Sequence, residues 1–598
     1  MCRASGSSLI DRQAESFRVG GHNWNDITMR IETNRSLSIF SRWRPILLLG
    51  CLHLVWACSA NAQHEASASR IEHADKEPQN WLTFYGNYAG WSYSPLRQVT
   101  RENVRQLVPV WSLSGGSPPP GTTLRMGLQA APLVADGVLY LVGMQNNVYA
   151  VEAATGKLLW TFVYPWKVDG AGSAEGSRGS RGLAIGDGRV YMGTQDNHIV
   201  ALDAETGNQV WNVEVEDAVQ CHCGITSPPL FVKGKVISGV GGGGYGHMRG
   251  YLNAFDARTG ERVWHLDTVV LPTDTARENS RSSEVGGSST WFTGTYDPEL
   301  NLIYWGTGDP SPTFEGKDRP GPNLYSASLI AVDADTGKMK WYFQETPHDL
   351  YDYDSQGTPM LVDFEMAGRS RKVVIHTSKN GFAYVLDRQT GQFLKAFPFG
   401  VTPTWTNSLD AAGKPLNMVD PKQVKDAVIC PAIGAGAQGI NHFAYSPRTG
   451  LWYATDYALC TYINDGRRHS AIDAKSAPNI TAFDPATGKE QWTFKTKYIN
   501  LSSLLVTAGD LVFGGDLEGN AFALDARTGM KLWSFNTGGR IASPPISFSI
   551  GNRQFITISS GGGSIGENMV PRLFPESKGH IPEPTSMLFV FALPGEGK

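Results

Sequence analysis

Charge is scarce in this 598-residue chain: Asp, Glu, Lys and Arg make up 18% of it, the formal net charge is −4, and no basic run occurs. That balance excludes nucleic acid as an expected partner. No Cys-x-x-Cys-His occurs, so the chain carries no signature for covalent c-type haem. No Gly-x-Gly-x-x-Gly both follows a strand pattern and opens a helix. The run Gly241 to Gly244 reads as loop, which leaves a nicotinamide dinucleotide fold without support. The apolar run Pro45–Trp56 falls short of the ~20 residues that span a bilayer. Cysteines number seven, and Cys2, Cys51 and Cys58 lie in the first 62 residues.

What is abundant is glycine, at 67 residues, and aromatics, at 11%. That profile suits a large all-β protein with many tight turns. The first 62 residues have a different character. Met29 begins a segment with Arg30, Arg35, Arg42 and Arg44, then the apolar run, then Ala60-Asn-Ala62. A basic region, an apolar core and a small-x-small site predict a signal peptide cleaved after Ala62, with Met29 as an alternative start. The expected location is the periplasm, and residues 63–598 form one domain. Four cysteines then remain, and an even number in an exported protein predicts disulfides, read here as Cys430–Cys460 and Cys221–Cys223.

An internal repeat organises the rest. Ala150-Val-Glu-Ala-Ala-Thr-Gly-Lys-Leu-Leu-Trp160 recurs in copies ending at Trp211, Trp264, Trp341, Trp492 and Trp533. A degenerate copy ends at Lys395, and an orphan strand ends at Trp111. In every copy but the first, which has Glu152 in place of Asp, Asp-x-x-Thr-Gly makes a tight turn, Gly supplying φ > 0 and Asp capping it. Flanking segments such as Gly137-Val-Leu-Tyr-Leu-Val alternate as strands do. One four-stranded unit cannot bury both faces, so units must stack radially, each Trp packing on its neighbour. The expectation is an all-β, eight-bladed propeller with tryptophan-docking motifs. The N-terminal strand joins the last unit, and an insertion falls between Lys395 and Trp492.

Three carboxylates, Asp349, Asp352 and Asp354, fall within six residues, flanked by Tyr351 and Tyr353. Such a cluster suits a hard cation beside a general base. The repeat, with Trp291-Phe-Thr-Gly-Thr-Tyr-Asp-Pro-Glu-Leu-Asn301, Tyr304-Trp-Gly-Thr-Gly-Asp-Pro310, Thr346-Pro-His-Asp-Leu-Tyr-Asp352 and His376-Thr-Ser-Lys-Asn-Gly381, resembles the quinoprotein alcohol dehydrogenases, methanol and ethanol dehydrogenases among them. The resemblance covers residues 80–595. It implies pyrroloquinoline quinone (PQQ) in the central channel, Asp352 as the catalytic base and Lys379 beside the quinone oxygens. Arg181 is implied on a PQQ carboxylate, with Thr226 and Asn441 as further cofactor contacts and Trp291 stacked on the cofactor plane.

The sequence departs from this pattern at the metal. The family's Asn position is Asp309, its Glu position matches Gly244 best, and Asp354 is an extra carboxylate. The expected ligands are therefore Asp309, Asp352 and Asp354, for Ca²⁺ or else a lanthanide. The cysteine pair that many members carry is absent at Ser173–Arg178, although Cys221-His222-Cys223 lies near Thr226. The implied partners are a small alcohol and a separate electron acceptor, a cytochrome c or a quinone. The competing reading is a propeller that has lost catalysis and serves as a binding or assembly scaffold.

Overall fold

The computed structural model describes residues 66–595, apart from 118–126, 166–178, 243–247, 271–285, 318, 367, 440–441, 474–475, 563–566 and 568. The leader, Gly244 and Asn441 therefore lie outside the described residues. Four-stranded antiparallel meanders follow one another along residues 133–162, 184–214, 230–267, 295–344, 360–398, 444–495 and 505–536. A last sheet joins Ile546–Ile550, Arg553–Ser560 and Met587–Ala592 to a strand from far upstream, Val108–Ser114, with Trp111 opposite Val590. The N-terminal strand thus completes the final unit, as the orphan Trp111 predicts. No described helix is long and apolar enough to cross a membrane.

The repeat folds as its residues dictate. In the 184–214 sheet, Asp203 Oδ1 accepts hydrogen bonds from the backbone N–H of Glu205 and Thr206 and from the Thr206 hydroxyl. Gly207 takes φ +73° and closes the turn on the Asp203 carbonyl. A one-residue register shift follows at Val210, which is left exposed while Trp211 turns inward. Each docking Trp except Trp533 lies over the turn glycine of the next sheet. A Cβ added to Gly207 would stand 2.5 Å from the Trp160 ring, and the same crowding pairs Gly156 with Trp111, Gly260 with Trp211, Gly337 with Trp264, Gly391 with Trp341 and Gly529 with Trp492. Trp160 Nε1 also donates to the Ala204 carbonyl, and Trp533 Nε1 donates to the Leu107 carbonyl, which ties the 505–536 sheet to the one holding Val108–Ser114. Glycine is needed here for both its φ and its missing side chain. Gly207→Ala is expected to lower stability by about 1–3 kcal/mol in a denaturant titration, through overpacking against Trp160.

The degenerate copy, which lacks the Trp, docks through another position. Docking passes from position 395 to Phe397, whose ring crowds Gly488. Lys395 instead donates its ammonium to the Ala486 carbonyl and lies over the Phe364 ring. The predicted insertion is present: Ala427–Ile429 pairs with the hairpin Leu459–Asn464 and Arg467–Ile472. The Cys430–Cys460 disulfide pins it. Residues 81–94 cross the inner strands of several sheets. Trp81 pairs with Val134, Tyr85 donates to the Thr293 carbonyl, Trp91 donates to the Leu361 carbonyl, and Tyr93 pairs with Val506.

Candidate active site

The site is built where connections leave the strands of two neighbouring sheets. Asp309 follows the strand Leu302–Gly306, residues 345–359 join the 295–344 sheet to the 360–398 sheet, and Lys379 follows the strand Arg369–Thr377. Carboxylate oxygens of Asp309, Asp352 and Asp354 all lie within 4.8 Å of one another. Lys379 Nζ bridges two of them, 2.9 Å from Asp352 Oδ1 and 2.7 Å from Asp354 Oδ2. The Asp309 backbone N–H donates to Asp354 Oδ1 at 2.7 Å. Asp309 Oδ2 is buried and, among the described residues, has no hydrogen-bond partner.

Three carboxylates thus face one ammonium, with Asp309 and Asp354 buried and Asp352 and Lys379 partly so. Burial, then the Asp352 and Asp354 charges, hold the Asp309 carboxyl well above its ordinary range. Burial pushes Asp352 up to about 7, against the pull of Lys379. Burial opposes the charge on Lys379, but the two aspartates outweigh it and hold the ammonium protonated. An orphaned, buried carboxylate oxygen beside two more carboxylates fits a cation, and an all-oxygen donor set fits a hard one.

Asp352 has φ +62°, a left-handed conformation that Asp tolerates better than most residues. Asp349 explains how it is held. Its carboxylate accepts the backbone N–H of Tyr351 at 2.8 Å and of Tyr353 at 2.7 Å, bracketing Asp352. Asp349 therefore braces the loop and is absent from the carboxylate cluster. Arg319, wholly buried, donates to the Asp349 and Thr313 carbonyls and to Asn323 Oδ1. The insertion walls the other side: Tyr353 donates to the Pro431 carbonyl, Gly434 N–H to the Tyr351 carbonyl and Ala437 N–H to the Lys379 carbonyl.

Beneath the loop lies a brace that sequence reasoning missed. His376 Nδ1 is 2.7 Å from Glu345 Oε1, His376 Nε2 is 2.9 Å from the Gly357 carbonyl, and Ser355 Oγ donates to Glu345 Oε2. Glu345 and His376 are fully buried. They tie both ends of the 345–357 loop to the strand that leads to Lys379. Breaking a buried pair strands one charged or polar partner. Glu345→Ala is expected to destabilise the protein by about 3–5 kcal/mol, read as a lowered denaturation midpoint.

A second group lies on the connections that lead into the first strands of three successive sheets, Ala184–Gly186, Leu230–Val232 and Thr295–Asp297. Arg181 Nη1 donates to Thr226 Oγ1 at 2.7 Å, and the guanidinium carbon sits 5.3 Å from the Trp291 ring centroid. Trp291 connects the two groups through its own chain: Ser289, two residues earlier, accepts from the Gly308 N–H, and a Cβ on Gly308 would meet Ser289 Oγ at 2.5 Å and Asp354 Oδ1 at 3.0 Å. The structure thus brings together Arg181, Thr226 and Trp291, and separately Asp309, Asp352, Asp354 and Lys379. Cys221–Cys223 is a disulfide, as expected.

Fold and site define a repeat-built propeller that carries a cluster of three carboxylates with a lysine and, separately, an arginine–tryptophan pair. A family described as "Glucose/ethanol/alcohol dehydrogenase, beta-propeller domain" matches residues 81–404, and "Outer membrane protein assembly factor BamB" matches residues 476–549. The quinoprotein alcohol dehydrogenase PedH of Pseudomonas putida is 33% identical over 601 aligned positions, covering 92% of this chain and 97% of that protein. A quinohemoprotein alcohol dehydrogenase of Comamonas testosteroni is 33% identical over 574 positions, covering 87% of this chain and 79% of that protein. A solved europium-containing methanol dehydrogenase superposes with a TM-score of 0.80 at 30% identity, covering 88% of this chain and all of that one. The chain belongs to the PQQ-dependent alcohol dehydrogenases, and it is an oxidoreductase of that family.

Proposed function

We propose that this protein is an exported, eight-bladed quinoprotein dehydrogenase that oxidises an alcohol, polyol or sugar, with Asp352 as general base. The observation that carries the reading is the convergence of Asp309, Asp352 and Asp354 within 4.8 Å, with Lys379 bridging the last two. The eight sheets and their successive tryptophan or phenylalanine docks support eight blades closed by Val108–Ser114. Residues 1–62 are read as the leader to the periplasm and 63–598 as the one propeller domain.

Asp352 takes the hydroxyl proton of the alcohol. An aspartate is a weak base in water, and burial that disfavours its charge makes it a better acceptor. Lys379 holds Asp352 in place and offers positive charge where electron density accumulates. Asp309, Asp352 and Asp354 would hold the cation, Ca²⁺ or else a lanthanide. Arg181 offers a planar fork suited to a carboxylate, and Trp291 a face suited to a flat ring; with Thr226 and Asn441 they would hold PQQ. PQQ when bound supplies the two-electron acceptor, and the cation supplies Lewis-acid polarisation. Electrons then pass to a cytochrome c or a quinone.

Reconstitution tests the reading. The chain without residues 1–62, given PQQ and either Ca²⁺ or La³⁺, is expected to reduce a dye when an alcohol is added. Failure to bind PQQ with either ion would overturn it in favour of a binding or assembly scaffold.

A further inference from the structure

We propose that the Cys221–Cys223 disulfide is reducible by a dithiol, and that its reduced form, with Glu216, binds a soft divalent cation such as Zn²⁺. The local fold sets up the pair. Asp217 caps the short helix Ala218–Cys221, its carboxylate accepting the Val219 and Gln220 N–H groups. His222 then takes φ +52° and reverses the chain, which brings Cys221 and Cys223 to a Cα–Cα distance of 5.1 Å.

Access to the two disulfides among the described residues differs. Cys221 is half-buried and lines an open cavity of about 390 Å³ with Glu216, His222, Arg249 and His265. Cys223 lies fully buried behind it. Cys430 and Cys460 are both buried in an apolar cluster with Val401 and Ala458. A reductant entering from solvent therefore meets Cys221 first.

The surroundings stabilise the product of that attack. Asn197 is fully buried and aims Nδ2 at both sulfurs, 3.2 Å from Cys223 Sγ and 3.9 Å from Cys221 Sγ. Its Oδ1 finds no partner among the described residues, so the amide is oriented by what Nδ2 meets: the two sulfurs, the Glu216 carbonyl and the Tyr251 hydroxyl. An N–H donor favours a thiolate over an uncharged sulfur, because the bond is stronger to the charged form. The exchange balances as follows. A thiolate of the dithiol attacks Cys221 Sγ, the Cys221–Cys223 bond breaks, and Cys223 leaves as a thiolate facing Asn197. The second thiolate of the reductant then attacks its own sulfur in the mixed disulfide and releases Cys221. Two electrons pass from dithiol to protein, the reductant becomes a disulfide, and its two protons go to solvent.

The reduced pair is not left bare. A Glu216 carboxylate oxygen and both sulfurs lie within 4.8 Å of one another. Two thiolates and a carboxylate make three of the four donors of a tetrahedral zinc site, and the fourth position opens on the cavity. This site shares no residue with the carboxylate cluster and stands independently of the proposed dehydrogenase reading.

Co²⁺ is the probe, because a thiolate ligand gives it a charge-transfer absorption that oxygen ligands do not. The full chain without its leader is treated with limiting dithiothreitol, loaded with Co²⁺ and desalted. The expected result is two titratable thiols and one Co²⁺ per chain bearing the thiolate band, in the reduced protein only. Glu216→Gln is expected to weaken that binding by at least about tenfold. Absence of the band after reduction, or its persistence in the Cys221→Ser/Cys223→Ser variant, would overturn the metal site. Four thiols released together would overturn the selective reduction. The first comparison needs no variant, so a substitution that fails to fold does not blunt it.

Discussion

Asp352→Asn should bind PQQ as the parent does and lose alcohol-driven dye reduction by about 10²–10⁴-fold in kcat, the range a positioned general base contributes. The substitution isolates chemistry from structure. Asn tolerates the left-handed φ +62° that this position requires, so the bracket made by Asp349 around it survives. The amide oxygen still accepts from Lys379 Nζ, which keeps the 2.9 Å contact available. The capacity to take a proton disappears, together with one negative charge facing Lys379 and the proposed cation, so the assay is run at saturating cation. PQQ absorbance on titration measures the first half of the expectation, and steady-state dye reduction the second. Turnover within about threefold of the parent would remove Asp352 from the role of base. Loss of PQQ binding together with turnover would instead mean that the residue holds the site in shape.

The fold was legible because its signals are local. Asp203, Thr206 and Gly207 fix a turn among themselves, and Trp160 needs only a small residue opposite it, so repeat and docking partner can be read from one strand of text. Phe397 was not legible: the repeat spacing pointed to Lys395, and only the register of the 360–398 sheet shows which side chain reaches Gly488. The carboxylate site was legible in the same uneven way. Asp352 and Asp354 are neighbours in sequence, and Asp309 and Lys379 came from motifs. Asp349 looked like a member of the cluster and is spent on its own loop, because two backbone N–H groups claim its oxygens. Glu345, Ser355 and His376 could not be joined in advance. They lie 10 and 31 residues apart, and the packing of strand against loop decides that they meet. Arg319 is of the same kind: a single buried arginine spent on carbonyls carries no motif.

Asp309→Asn is the complementary experiment, with the effect expected on cation rather than on base. Asp309 brings the third carboxylate, and its Oδ2 lies buried without a hydrogen-bond partner among the described residues. Such an oxygen is costly to keep charged and is held protonated when no cation neutralises it. Binding a cation must therefore expel protons from Asp309 and from Asp352, whose carboxyl is pushed up to about 7. The sign follows directly. Both groups have raised carboxyl values, so cation affinity rises with pH and is lost as pH falls below about 7. Isothermal titration at several pH values should show protons released on binding, and Asp309→Asn should release fewer. The same variant should bind La³⁺ at least about tenfold more weakly. It should lose less toward Ca²⁺, because the attraction of one carboxylate scales with the charge of the ion it faces. Equal losses for the two ions, or an affinity indifferent to pH, would mean that Asp309 does not touch the cation. Its unpartnered oxygen would then have to be satisfied by a proton, and the site would rest on Asp352 and Asp354 alone.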